Sequence, residues 1–119
     1  VVIQDSGHFT NGLIPGDGMH VIMPILLGLN RGRYFLLTGQ AIEAQQALEL
    51  GLVSEVMPKD QLVNRAWTLA EQLIQESPLV LRYTRVLMTQ HIKRMMHDIL
   101  GYGLALEGLG SVDTMLSQG

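Results

Sequence analysis

The side chains best placed to move a proton near neutral pH flank one glycine- and proline-rich stretch. His8 titrates near neutrality, so it can take a proton from water and return it. Asp17 follows nine residues later, with Gly12, Pro15 and Gly16 between them. A loop of that composition can fold back on itself. An aspartate bonded to one ring nitrogen of a histidine fixes the tautomer and stabilises the imidazolium, the logic of the serine-protease pair without the serine. The pair therefore reads as a water-activating base, a form of help worth roughly 10²–10⁴ in rate. The expectation is that Asp17 accepts a hydrogen bond from His8, directly or through one water. Taken singly, each residue has a plainer reading: Asp17 as a helix N-cap, His8 as an ordinary loop histidine.

Other chemistries find little support. The chain has no cysteine, which excludes a disulfide framework and thiolate metal sites and is compatible with a reducing cytoplasm. His91 and His97 are six apart, a spacing that suits neither a metal pair nor one shared helix face, and they read as solvated. His20 reads as packing or loop support. No phosphate-cradling glycine pattern is present. A net charge of −3 without a basic block argues against nucleic acid. No apolar run approaches a membrane span, and the apolar start at Val1 is too short for a signal peptide. The expected location is the cytoplasm.

The elements that must hold these residues follow from pattern. Val1–Ile3 is β-branched and reads as a short buried strand. Residues 5–18 form a loop. Met19–Leu27 reads as a buried helix, with Asp17 or Gly18 near its N-cap and Pro24 kinking or splitting it. A short helix is expected over Arg31–Leu37, another over Glu43–Leu50, and a strand over Leu52–Met57, ended by Pro58. From Asp60 onward the chain reads as helical. Leu62, Val63, Ala66, Leu69, Ala70 and Leu73 make one stripe, to which Trp67 also belongs. Ser77 as N-cap and Pro78 in the first turn open a helix expected to run to about Asp98. Its Arg82, Arg85, Lys93 and Arg94 could meet a phosphate but read better as a wet face. Ile99–Leu116 is apolar almost throughout, interrupted by Gly101, Gly103, Gly108 and Gly110, and a helix of that kind wants burial on most sides. That burial is expected from another subunit or from the upstream part of the fold, and charged residues at only 16% point to self-association.

Several of these pieces carry a family resemblance. Gly12-Leu13-Ile14-Pro15-Gly16-Asp17-Gly18 resembles the G-x-x-P-x-x-G turn of the enoyl-CoA hydratase/isomerase, or crotonase, superfamily. Leu36-Leu37-Thr38-Gly39, then Ala44 to Ala47, then Gly51-Leu52-Val53 through Val56 and Pro58, resemble that family's next stretch in order and spacing. The resemblance covers essentially the whole chain and matches the C-terminal half of the family. It implies an α/β class, the C-terminal part of a crotonase (ClpP-like spiral) fold, predominantly helical here, with short strands near 1–4 and 52–57. It also implies a division into residues 1–58, the end of the crotonase core, and residues 59–119, a helical oligomerisation region for a trimer or hexamer.

Two departures from the ordinary hydratase narrow the resemblance. His8 stands where a hydratase carries its second catalytic glutamate, and Asp17 occupies a position that is usually small or apolar. With Gly18-Met19-His20-Val21 and the run from Asn30 to Gln40, these features resemble the β-diketone hydrolases of the 6-oxocamphor hydrolase group. That likeness implies catalytic roles for His8 and Asp17, and a third for Glu107, in Gly103-Leu104-Ala105-Leu106-Glu107, as proton donor or substrate anchor. On its own, Glu107 would read as a solvated helix residue. The implied reaction is cofactor-independent cleavage of a carbon–carbon bond in a small-molecule β-diketone. The alternatives are a crotonase acting on an acyl-CoA thioester and an inactive folded fragment. The family's two backbone oxyanion donors match positions upstream of Val1, so the 119 residues alone are expected to show no useful turnover.

Overall fold

The structure, a computed structural model, describes residues 1–117. Strand β1 (Val2–Ile3) pairs antiparallel with β2 (Ile42–Glu43), Val2 opposite Glu43 and Ile3 opposite Ile42. Between them lie a 3₁₀ turn at Phe9–Asn11 and helix α1 (Met19–Thr38). After β2 come α2 (Ala44–Glu49), a 3₁₀ turn at Lys59–Gln61, α3 (Leu62–Leu73), α4 (Pro78–Met88) and α5 (Gln90–Ser117). The architecture is that expected of a partial crotonase fold: mostly helical, with one small sheet.

The core is small and local. Met23, Phe35, Leu36, Ile42 and Ala47 are buried together, with Ile3, Leu50, Leu52 and Val53 packed against them. The single ladder leaves β1 uncovered on one side, so Val1 and Val2 are exposed and not buried as expected. The expected strand at Leu52–Met57 is absent: this segment is irregular. Leu52 and Val53 donate their N–H groups to the carbonyl of Ala47 at the end of α2, and β1 has β2 as its ladder partner. Their side chains still reach the core, which is what the apolar pattern recorded.

Helix α1 breaks at Gly28, whose φ of 79° lies in the left-handed region, between the two helices expected over Met19–Leu27 and Arg31–Leu37; Pro24 does not split it. Glycine reaches that conformation without a Cβ penalty. Pro24 sits inside the first piece, and the second crosses tightly over it: a Cβ on Gly32 would lie 2.8 Å from the Pro24 backbone. Gly18, not Asp17, occupies the N-cap, which leaves the Asp17 carboxylate free for another use. Ser77 caps α4 as expected, accepting from the Val80 N–H at 3.3 Å, with Pro78 in the first turn. That helix ends at Met88, ten residues short of the expected stop, and α5 runs unbroken through its glycines.

Helices α3 and α4 bury no residue, and α5 buries only Gly103. Trp67, Leu73, Met88 and Leu109 stand exposed. The radius of gyration is 18.1 Å, against about 13–14 Å for a compact domain of this length. Among the described residues, no helix is long and apolar enough to cross a membrane.

Candidate active site

Two segments far apart in sequence build the site: the loop from Asp5 to Gly18 and the middle of α5. The loop is pinned at both ends. Gln4 donates its side-chain N–H to the Gly39 carbonyl at 2.8 Å, and the His8 carbonyl accepts from the backbone N–H groups of Asn11 (2.7 Å) and Leu13 (3.2 Å). The His8 ring therefore hangs from a backbone that is itself hydrogen-bonded.

Close backbone approach brings α5 to the loop. A Cβ on Gly16 would lie 2.1 Å from the Gly103 carbonyl oxygen and 2.8 Å from the Glu107 Cβ. A Cβ on Gly103 would lie 2.3 Å from the His20 ring, and one on Gly110 would lie 2.8 Å from Ile14. Gly103, Glu107 and Gly110 recur at helical spacing, so one stripe of α5 faces the loop. His20 clips the two together, its Nδ1 lying 2.8 Å from the Pro15 carbonyl and its Nε2 3.3 Å from that of Ile99. This is the packing role expected of His20. His91 and His97 are exposed, as expected, as are Arg82, Arg85, Lys93 and Arg94.

The three residues singled out from the sequence come together. His8, Asp17 and Glu107 each offer one atom to a cluster in which these atoms lie within 4.8 Å of one another. His8 Nε2 lies 3.4 Å from Asp17 Oδ2, too long for a firm hydrogen bond. Glu107 is half-buried, and its Oε2 is enclosed with no hydrogen-bond partner among the described residues. Asp17 is the open member of the set, its side chain 50% exposed.

The aspartate that holds the ring is one the sequence reading passed over. Asp5 Oδ1 lies 2.6 Å from His8 Nδ1, and Asp5 is the one buried polar or charged residue among those described. Asp17 faces the opposite ring nitrogen, Nε2, at 3.4 Å, while Asp5 holds Nδ1 more tightly. The available signal was the i, i+3 spacing of Asp5 and His8 within a turn-rich stretch. The His8 pKa is held above its ordinary value, first by the hydrogen bond to Asp5, against the opposing pull of desolvation, and further by the charges of Asp5, Asp17 and Glu107.

A histidine beside two carboxylates, on a loop packed under the last described helix of a partial crotonase fold, defines the class. Residues 6–104 match the enoyl-CoA hydratase/isomerase family, and the chain belongs to that family. Among solved structures it is similar to a β-diketone hydrolase from the cyanobacterium Anabaena sp. PCC 7120, bound to (S)-3-oxocyclohexyl acetic acid. Identity is 50% and the TM-score 0.93, over 96% of this chain and 46% of that one. It is also similar to an enoyl-CoA hydratase/isomerase from Mycobacterium paratuberculosis, at 28% identity and a TM-score of 0.82, over 92% of this chain and 43% of that one. Among curated relatives, the mitochondrial enoyl-CoA hydratase domain-containing protein 2 of Bos taurus is 31% identical over 104 residues, which are 84% of this chain and 34% of that protein. The chain spans about a third of the length of the curated relatives it matches.

Proposed function

We propose that this chain supplies the base side of a cofactor-independent β-diketone hydrolase. The observation that carries the reading is the placing of His8, whose Nε2 faces Asp17 while Nδ1 is held by Asp5, with Glu107 in the same cluster. The 50% identity to a β-diketone hydrolase supports it. In the reaction, neutral His8 takes a proton from water through Nε2, and the hydroxide adds to one carbonyl of the diketone. Collapse of the tetrahedral adduct breaks the bond to the carbon between the carbonyls, giving a carboxylic acid and an enolate. The imidazolium proton returns to that carbon, directly or relayed through the Glu107 carboxylate, which restores neutral His8. Asp17 stabilises the imidazolium across the 3.4 Å gap once the ring is charged. The leaving enolate is stabilised by its own second carbonyl, so the chemistry requires no metal or organic cofactor.

The oxyanion needs donors as well, and losing one costs roughly 10²–10³ in rate. The proposed assay therefore uses the chain alone and the chain joined behind the other half of the Anabaena hydrolase. Loss of the enol absorbance of a cyclic β-diketone is followed, with enoyl-CoA hydration as the comparison. Diketone cleavage without CoA or metal by the joined protein, abolished by His8→Ala, is the expected result. Hydration of enoyl-CoA with no action on diketones would replace this reading with the CoA-thioester one, which the family membership favours.

We also propose that residues 59–119 form a self-association region, giving a trimer or hexamer. The support is the exposed apolar surface of α3, α4 and α5.

A further inference from the structure

We propose that Asp5 is the positioning residue of the site: by accepting the Nδ1–H of His8, it makes Nε2 the nitrogen that acts on water. The inference rests on the proposed hydrolase reading for its purpose but not for its geometry.

Donors and acceptors decide the tautomer. A carboxylate only accepts, so the 2.6 Å contact between Asp5 Oδ1 and His8 Nδ1 requires the proton to sit on Nδ1. In the neutral ring, Nε2 then carries the lone pair and points toward Asp17, with Glu107 in the same cluster. Asp17 cannot set the tautomer in this arrangement. It lies on the reactive nitrogen, at 3.4 Å, with half of its side chain in solvent. A carboxylate facing a lone pair repels it, and the contact becomes favourable only when Nε2 is protonated. The two aspartates thus act at different moments, Asp5 before the proton moves and Asp17 after.

Burial makes the Asp5 contact directional. The Asp5 side chain is only 5% exposed, and its second oxygen, Oδ2, is enclosed with no partner among the described residues. The acceptor given to His8 Nδ1 is therefore the carboxylate's one side-chain hydrogen bond. A charge-assisted bond in a desolvated setting is stronger and shorter than a neutral one. Asp5 also directly follows Gln4, which is clasped to Gly39, so its backbone cannot drift from the ring.

The test is ¹⁵N NMR of the histidine rings in the 119-residue chain, which needs no substrate. Above its titration midpoint, wild-type His8 should carry the proton on Nδ1, against the Nε2–H form that free histidine prefers. In Asp5→Asn, whose amide oxygen can still accept, the Nδ1–H form should survive while the midpoint moves to lower pH. In Asp5→Ala the midpoint should also fall, and the tautomer should revert toward Nε2–H. His20, held by two carbonyls elsewhere, is the internal control and should not move. A wild-type ring protonated on Nε2 when neutral overturns the proposal, whatever the variants do. So does a His8 midpoint unchanged in both variants. Should either variant disturb His20, the wild-type tautomer alone decides. A failed diketone assay with an Nδ1–H ring would refute the function and leave the role of Asp5 standing.

Discussion

Replacing Gly103 with alanine sets two known effects against each other, and the structure decides between them. Gly103 lies inside α5, where alanine is better than glycine by about 1 kcal/mol. Against that, the new Cβ would stand 2.3 Å from Cε1 and 2.4 Å from Nε2 of His20, and 2.8 Å from the Gly16 carbonyl oxygen. Relaxed contacts between carbon atoms lie near 3.5–4.0 Å, so the ring must retreat by about an ångström. It cannot do so freely, because it is confined between the Pro15 carbonyl, 2.8 Å from Nδ1, and the Ile99 carbonyl, 3.3 Å from Nε2. Overpacking of this kind costs about 1–3 kcal/mol, and loss of a ring hydrogen bond adds about 1 kcal/mol. The helix gain offsets only part of this, so a net loss of about 2 kcal/mol is expected. Gly101→Ala is the matched comparison, since nothing lies within 4 Å of its Cβ position, and it should gain about 0.5–1 kcal/mol. Urea denaturation followed by helical circular dichroism measures both. The reasoning fails if Gly103→Ala is as stable as Gly101→Ala, for then α5 does not sit against the loop. It fails equally if Gly103→Ala is destabilised while the His8 titration is unchanged, because the same contact carries Glu107 to the ring.

Other consequences are simpler to state. Because the folded pKa of His8 is raised, its charged form stabilises the fold fully at pH below the ordinary histidine value, about 6.5. That contribution is lost as pH rises through the higher folded value, so the margin of wild type over His8→Ala in thermal melts should shrink with rising pH. For the same reason, the acid limb of any His8-dependent turnover should lie above the ordinary histidine value. Ser77→Ala removes the acceptor for the Val80 N–H and should cost about 1 kcal/mol in urea denaturation. Light scattering at micromolar concentration should give a multiple of 13.2 kDa, and a monomer mass there would refute self-association through the exposed helices.

What the sequence disclosed was local chemistry with a single physical answer. Ser77-Pro78 could only begin a helix, and it does. The Gly12–Gly18 turn resembled one family strongly enough to bring Asp17 and Glu107 into view, and the structure sets both beside His8. The misreadings arose where two local answers were open. Pro24 and Gly28 could each break α1, and the break fell at Gly28, where glycine reaches the positive φ without strain. Leu52–Met57 had the apolar content of a strand but no ladder, because the chain turns back onto α2, where Leu52 and Val53 donate to the Ala47 carbonyl. The glycines of α5 looked like interruptions, whereas Gly103 and Gly110 are contact points that only the tertiary fold defines. Asp5 was hidden for a related reason: its burial comes from the return of the chain at Gly39, thirty-five residues beyond Gln4.

The division of the chain near residue 58, which the family resemblance implies, does not coincide with the site. Asp5, His8 and Asp17 come from before it and Glu107 from well after it, while α2, α3 and α4 supply none of the atoms in the cluster. The junction that matters is between the loop with the start of α1 on one side and the glycine-bearing face of α5 on the other. Its contacts are backbone to backbone and ring to carbonyl, the kind that tolerate little displacement. Helices α3 and α4 bury nothing and supply no atom of the cluster. A change at Gly16, Gly103 or His20 acts on it directly, because each shifts Glu107 relative to His8.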